Sequence, residues 1–315
     1  MSDVLRTVFM GTPELAVPCL EVLARQTRVQ TVVTQPDAAA GRGRRPRPPP
    51  VKEAAERLGL PVWQPTNINA TADADQLAEA DYFIVFAYGA LLKQPLLDLP
   101  RRACINIHAS LLPRWRGASP LQAAIRAGDQ ATGVSIMRMV KRLDAGPVYL
   151  RRSLALPADA TLPWLHDQMA DLAPTALAAF LQNHDSLTAE TQDEAAVTTC
   201  GKLTPADGQI DWRLPVSAID AQVRAYTPLP GCWSPDADGQ RYRIEAVTPL
   251  VDQPGTDLVP GTVIHRGREL LVHCSDGLCR IDRLQAPGKR RMDVADFLNG
   301  HRPPGRFLVE ALTSE

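Results

Sequence analysis

The chain has 315 residues, which is enough for two domains that each bury a core. Hydrophobic residues make up 45% of it and charged residues 22%, which excludes a disordered or fibrous protein. The formal net charge of −1 excludes a uniformly basic surface, so contact with nucleic acid would have to come from a local patch of cations.

Composition also bears on compartment and metal content. The first residues lead almost directly into a strand pattern, and no apolar run is long enough to cross a bilayer, so we expect a cytoplasmic protein without a membrane partner. The six cysteines are scattered without a Cys-x-x-Cys pair, and His273, Cys274 and Cys279 do not have the spacing of a zinc site. We therefore expect buried thiols and no metal.

Apolar runs alternate with helical patterns through the first two hundred residues. Strands are predicted over 5–11, 29–33, 81–89 and 103–108, and a further pair over 131–140 and 146–156. Helices are predicted over 14–25, 51–59, 74–80 and 161–182, with Pro18 bending or restarting the first. This alternation predicts an α/β domain with an open, mostly parallel, Rossmann-like sheet. In such sheets ligands bind beyond the carboxyl ends of the strands.

The pattern changes after a polar stretch over 183–209. Short strands separated by turns are predicted over 241–247, 261–267, 269–274 and 278–285, which favours a small β-barrel or sandwich. We expect a first domain over 1–189, a linker over 190–207 and a second domain over 208–315.

A basic, proline-rich stretch interrupts the first domain. Residues 38–52, AAAGRGRRPRPPPVK, contain Arg42, Arg44, Arg45 and Arg47. Proline fixes φ, so the second half should be extended, whereas glycines leave the first half loose. Two interpretations stay open from the residues alone: a solvated surface loop, or a mobile basic finger that contacts phosphates.

The candidate site lies in residues 105–120, INIHASLLPRWRGASP, at the end of a predicted strand. Asn106 and His108 alternate along that strand, so both side chains can project to one face. An amide can donate to a developing oxyanion while an imidazole moves a proton. A lone histidine there is commonly structural, and the neighbouring amide is what favours catalysis. Leu111 and Leu112 would line a pocket for a flat apolar ligand.

A third polar group follows in VKRLDAGPVY, residues 140–149. Asp144 could set the tautomer of His108, but aspartate before glycine is also typical of a plain turn. From the residues alone it is a site residue only if this turn lies over His108.

These motifs together resemble the folate-dependent formyltransferases. The segment INIHASLLPRWRGASP with TGVSIM and LDAG downstream carries the family resemblance. VFMGTPELAVPCLEVL, the basic stretch, VFAYG, GQIDW and RAYTPLPGCW make the chain most similar to the branch that acts on initiator methionyl-tRNA. The resemblance implies the formyltransferase fold, an OB-like tRNA-binding second domain, 10-formyltetrahydrofolate as co-substrate and no metal. We also expect a monomer.

The resemblance assigns roles to individual residues. It implies a catalytic trio of Asn106, His108 and Asp144. It implies a folate pocket made of Ser110, Leu111, Leu112, Pro113, Phe86, Ala87, Tyr88 and Gly89. It implies recognition of the tRNA acceptor end by Arg42, Arg44, Arg45 and Arg47.

One departure keeps alternatives open. Lys141 and Arg142 stand where the tRNA-directed branch usually carries smaller residues, and they are more similar to the sugar-nucleotide formyltransferase of lipid A modification. The chain could instead formylate an amino-sugar nucleotide, hydrolyse formyl-folate with the same residues, or be a non-catalytic RNA-binding module. The arginine-rich stretch favours the tRNA-directed branch.

Overall fold

The computed structural model describes residues 4–40, 45–70, 77, 79–250 and 258–309. The chain divides into two compact units. The first comprises Met1–Pro120, Ala131–Ala155 and His166–Cys200, and the second comprises Leu121–Gln130, Leu156–Leu165 and Gly201–Glu315.

The described strands and helices follow the chain in this order. The strands are β1 (Arg6–Gly11), β2 (Arg28–Val33), β3 (Ala38–Ala40), β4 (Arg45–Arg47), β5 (Val62–Trp63), β6 (Tyr82–Phe86), β7 (Ala103–His108), β8 (Arg116–Gly117), β9 (Ala131–Arg138), β10 (Val148–Ala155), β11 (Thr199–Cys200), β12 (Cys232–Pro235), β13 (Arg241–Leu250), β14 (Val263–Arg266), β15 (Glu269–His273), β16 (Leu278–Gln285) and β17 (Arg291–Asp293). The helices are α1 (Val17–Gln26), α2 (Pro50–Arg57), α3 (Gln94–Leu97), α4 (Pro120–Ala127), α5 (Leu162–Asn183), α6 (Val216–Tyr226) and α7 (Val294–Gly300).

The first unit is built on a seven-stranded sheet in the order β10-β9-β7-β6-β1-β2-β5. The five strands from β7 to β5 are parallel, and β9 and β10 extend the sheet as antiparallel strands beside β7. Every residue of β6 is buried, as expected for a parallel strand covered on both faces. The predicted open, mostly parallel sheet is confirmed.

Proline shapes the first helical segment as its position predicts. The interval predicted as one helix over 14–25 is a 3-10 turn, Glu14–Ala16, followed by α1, which begins one residue before Pro18. Proline is accepted in a first helical turn because its missing N–H has no partner there. The predicted helix over 74–80 falls mostly outside the described residues.

The second unit contains a six-stranded antiparallel sheet. Its order is β12-β13-β16-β15-β14, with β17 beside β16. Phe307 bridges to Asp236 after β12, and Arg306 bridges to Thr262 before β14, so one short segment joins the two edge strands. The sheet therefore closes on itself as a small barrel. Trp212 lies in its core, only 1% exposed, and its indole N–H donates to Ser234 Oγ at 2.9 Å.

Two further findings concern the whole described chain. All six cysteines are free thiols, and five of them are buried. Burial raises the pKa of the Cys232 thiol to about 12, so that thiol stays protonated. Among the described helices, none combines the length and the hydrophobicity needed to cross a membrane.

Candidate active site

The carboxyl ends of three neighbouring parallel strands meet at one edge of the first unit's sheet. Gly11 of β1 pairs with Phe86 of β6, and Val85 of β6 pairs with Asn106 of β7. The strand β7 therefore ends at this edge and delivers Asn106 and His108 to it. Both belong to the same face of the strand because side chains alternate.

Asp144 comes to the same place from the turn between β9 and β10. The Asn106 amide Nδ2 donates to Asp144 Oδ1 at 3.4 Å, and His108 Nδ1 lies 3.7 Å from Asp144 Oδ2. The side chains of His108 and Asp144 are only 6% and 9% exposed. The turn thus lies over His108, which is the condition that the sequence left open.

The second nitrogen of the histidine fixes the orientation of the ring. His108 Nε2 lies 2.9 Å from the carbonyl oxygen of Trp115. A carbonyl only accepts, so the network assigns a proton to Nε2 and turns Nδ1 toward Asp144.

A backbone N–H anchors the aspartate from the opposite side. The Gly117 N–H donates to Asp144 Oδ2 at 2.8 Å. Gly117 lies in β8, paired with β11, at a φ of +123°, and a Cβ there would come within 2.0 Å of the Cys200 carbonyl oxygen. Only glycine fits this close approach.

In the loop after β7, two of the predicted folate-pocket residues, Ser110 and Leu112, contact other parts of the protein. Ser110 is buried, its Oγ donates to the Arg114 carbonyl at 2.6 Å, and its own carbonyl accepts from Ser135 Oγ at 2.7 Å. Leu112 is 1% exposed and packs in an apolar cluster with Met137 and Val148. Ser110 and Leu112 therefore shape the loop, while Leu111 and Pro113 remain half-buried at its surface.

In the segment after β6, buried residues alternate with exposed ones. Phe86 and Tyr88 are each 2% exposed, whereas Ala87 and Gly89 are exposed and have φ values of +49° and +89°. The Tyr88 carbonyl accepts from Thr12 Oγ1 at 2.9 Å, which ties this turn to the end of β1. Burial raises the pKa of Tyr88 to about 12, so its hydroxyl stays protonated.

Sequence reasoning missed a group of side chains behind Asp144. Gln192 is 4% exposed and its Nε2 donates to the carbonyls of Asp144 and Gly146 at 2.8 and 2.7 Å. Arg116, also 4% exposed, donates to Gln192 Oε1 at 3.0 Å and to Glu194 Oε1 at 2.9 Å. No local pattern marks Gln192, because it stands in a polar segment between exposed neighbours.

One of the two basic residues that differ from the tRNA-directed branch, Arg142, also contacts this group. Arg142 pairs with the second oxygen of Glu194 at 2.8 Å. The hydrogen bond from Arg116, followed by that from Arg142, holds the pKa of the Glu194 carboxyl below its usual value. Lys141 is exposed.

Within the basic stretch, β3 and β4 pair as antiparallel strands, named the hairpin below, and α2 begins at Pro50. Ala38 pairs with Arg47, whose side chain is exposed, and the extended backbone expected for the proline-rich half is confirmed in β4. Arg42 and Arg44 lie outside the described residues, as does the side chain of Arg45. At the base of the hairpin, Asp37 accepts from Lys52 Nζ at 2.9 Å and from Gln64 Nε2 at 2.8 Å.

These contacts keep the hairpin base charged and in place. Hydrogen bonds from Gln64 and then from Lys52 lower the pKa of the exposed Asp37 carboxyl.

In the described part of the chain, no cluster of three or more His, Cys, Asp or Glu side chains could hold a metal ion.

Comparison with known families covers most of the chain. Residues 6–181 match the family described as formyl transferase, and residues 202–302 match the family described as formyl transferase, C-terminal domain. A methionyl-tRNA formyltransferase of Methylococcus capsulatus is 43% identical over 309 residues, which cover 96% of this chain and 99% of that one. Another, from Jannaschia sp., is 42% identical over 308 residues, covering 96% of this chain and 100% of that one.

Solved structures share the fold at low sequence identity. An N-formyltransferase from Helicobacter canadensis, in complex with folinic acid and dTDP-3-aminofucose, has a TM-score of 0.65 at 13% identity and covers 91% of this chain and 100% of that one. HypX from Aquifex aeolicus in complex with tetrahydrofolic acid has a TM-score of 0.62 at 16% identity and covers 98% of this chain and 51% of that one. At these identities the likeness concerns the fold alone.

Proposed function

Because the chain belongs to the methionyl-tRNA formyltransferase family, we propose that it transfers the formyl group of 10-formyltetrahydrofolate to the α-amine of methionyl initiator tRNA. The observation that carries the proposal is the meeting of Asn106, His108 and Asp144 at the carboxyl edge of the sheet. We place the reaction in the cytoplasm and expect the chain to act as a monomer.

Asn106 stabilises the negative charge that develops on the formyl oxygen when the amine attacks. An amide nitrogen carries two protons, and the contact with Asp144 uses one of them, so the second can point at the substrate. A single donor aimed at an oxyanion contributes about 3 kcal/mol in a site that excludes water.

His108 handles protons. The α-amine must be neutral to attack, and it loses a proton as the new C–N bond forms, while folate N10 gains one as its bond to the formyl carbon breaks. His108 relays that proton, or donates it to the oxyanion, through Nδ1, because its Nε2–H is already held by the Trp115 carbonyl. Asp144, whose Oδ2 lies 3.7 Å from Nδ1, stabilises the positive charge that the ring gains when it is protonated.

The residues at the edge suit a flat, partly polar co-substrate. The exposed residues Ala87 and Gly89 can offer backbone groups to the polar edge of a pterin, and the half-buried Leu111 and Pro113 offer apolar contact to its faces. Ser110 and Leu112 act indirectly, by holding the loop, and Phe86 and Tyr88 pack beneath the turn.

The hairpin of β3 and β4 supplies cations for the acceptor end of the tRNA. The contacts of Asp37 with Lys52 and Gln64 tie the residue before β3 to neighbouring segments. Four arginines within residues 42–47 concentrate positive charge in the sequence of a chain of nearly neutral net charge, as contact with phosphates would require. We assign further tRNA contacts to the barrel of the second unit.

A formyl-transfer assay tests the proposal. The protein is incubated with labelled 10-formyltetrahydrofolate and methionyl initiator tRNA, with free methionine and an amino-sugar nucleotide as competing acceptors. Label should enter only the charged tRNA. Label in the sugar nucleotide would favour the sugar-directed branch, and release of tetrahydrofolate with free formate would favour a hydrolase.

A further inference from the structure

We propose that Gln192, oriented by Arg116, is a positioning residue that fixes the turn of Asp144 in its reactive geometry. This inference rests on the function proposed above. It concerns residues 190–200, which belong to the first compact unit and pack behind the trio.

The turn combines an uncommon backbone conformation, which aspartate tolerates, with tight packing. Asp144 has a φ of +50°, in the left-handed region that residues with a side chain rarely adopt. Gly146 packs so tightly that a Cβ would come within 1.8 Å of the Arg138 carbonyl oxygen. Contacts from neighbouring segments can therefore help to select this conformation of the turn.

Gln192 provides these contacts from a buried position. Its Nε2 donates to the carbonyl of Asp144 at 2.8 Å and to that of Gly146 at 2.7 Å, so one amide holds the turn on both sides of Ala145. The side chain of Asp144 is then left to Asn106, His108 and the Gly117 N–H.

Arg116 decides which way the amide of Gln192 faces. Its Nε–H donates to Gln192 Oε1 at 3.0 Å, and a guanidinium has no acceptor, so the oxygen must face Arg116 and the nitrogen must face the turn. Arg116 is in turn paired with Glu194. The chain from Arg116 to Asp144 therefore has a single arrangement of donors and acceptors.

Gln192→Glu is the informative change. The carboxylate keeps the size of the side chain and its pairing with Arg116, but it cannot donate to the two carbonyls. We expect kcat for formylation of methionyl initiator tRNA to fall about ten- to hundredfold, as a small misplacement of a reacting group does. The KM values for the tRNA and for 10-formyltetrahydrofolate should stay within about threefold, because the turn positions a group without binding either substrate.

A double-mutant comparison separates positioning from general damage. With Asp144→Ala, no carboxylate remains to be positioned, so Gln192→Glu should lower kcat by less than about twofold in that background. Gln222 is a matched control in the second unit: it is 2% exposed and its Nε2 donates to the carbonyls of Asp207 and Gln209, both at 3.0 Å. Gln222→Glu should have the same effect on kcat in both backgrounds.

Arg116→Lys extends the test should Gln192→Glu fail to fold. Lysine keeps a cation for Glu194 but loses the fixed Nε–H, so kcat should fall about threefold or more, again only while Asp144 is present. Equal losses of kcat with and without Asp144 would overturn the inference, as would an unchanged kcat. A wild-type protein that formylates no tRNA would instead overturn the proposed function.

Discussion

Replacing the carboxylate of Asp144 by an amide tests whether the negative charge of this side chain is needed for catalysis by the trio. Asp144→Asn keeps the size of the side chain and an oxygen that can accept from the Gly117 N–H. Asparagine also tolerates the left-handed backbone of this position, where φ is +50°, as well as aspartate does. The substitution therefore removes charge while the turn stays in place.

The distance between the two groups sets the expected loss. Asp144 Oδ2 lies 3.7 Å from His108 Nδ1, and both side chains are almost fully buried. At an effective dielectric constant of about 20, a carboxylate at this distance stabilises a protonated imidazole by about 4 kcal/mol. If the ring carries that charge in the transition state, kcat should fall about a thousandfold.

Single-turnover formylation of methionyl initiator tRNA, with both substrates saturating, measures this change directly. The thermal unfolding midpoint should shift by no more than a few degrees. Asp171→Asn, at an exposed aspartate on α5, serves as the control and should leave kcat unchanged. A rate for Asp144→Asn within about threefold of the wild type would refute the charge-stabilising role of Asp144.

Three further outcomes follow from the site, its backbone and the hairpin. His108→Ala should lower kcat at least about a hundredfold without changing the Kd for tRNA measured by filter binding; a change in Kd alone would make the residue structural. Gly146→Ala should destabilise the protein by about 1–3 kcal/mol in chemical denaturation and lower kcat, because the new Cβ collides with the Arg138 carbonyl, whereas an unchanged midpoint would contradict the tight approach. Alanine at all four hairpin arginines should weaken tRNA binding and flatten the dependence of log K on log salt by about 0.7 to 0.9 for each phosphate that is no longer neutralised, with exposed Arg25→Ala as control. The arginines to be replaced are Arg42, Arg44, Arg45 and Arg47. An unchanged slope would make the hairpin a solvated surface segment.

The strands of the first unit could be predicted from sequence because each has a continuous apolar signal. The run predicted over 103–108 is β7 to the residue, and the fully buried β6 lies within its predicted interval. Helices α6 and α7 and the short strands β12 and β17 were not predicted. These elements contact the barrel, and α6 carries a helical pattern that was overlooked, since Val216, Ile219 and Val223 are buried at helical spacing.

The ends of the strands also located Asn106 and His108, since parallel strands present their carboxyl ends at one edge. Asp144 was harder to place from its neighbours alone. Aspartate before Ala145 and Gly146 is compatible with any surface turn, and only the fold brings that turn over β7.

The role of Gln192 could not be predicted from its neighbours in the sequence. Its partners lie 46 to 76 residues away along the chain, so no window of neighbouring residues contains the signal. A buried amide in a polar, aperiodic segment has the same local pattern as an exposed one. What distinguishes it is that the carbonyls of Asp144 and the buried Gly146 both take their donor from a side chain in a distant segment.

Ser110 and Leu112 have contacts within the protein that their place in the sequence does not show. A serine and a leucine that follow a strand end can face a ligand or can complete the fold, and residue type alone does not choose between these uses. Here Ser110 Oγ satisfies the Arg114 carbonyl and Leu112 fills an apolar cluster, because an irregular loop beside a reacting site must first satisfy its own backbone. Leu111 and Pro113, by contrast, remain half-buried in the same loop.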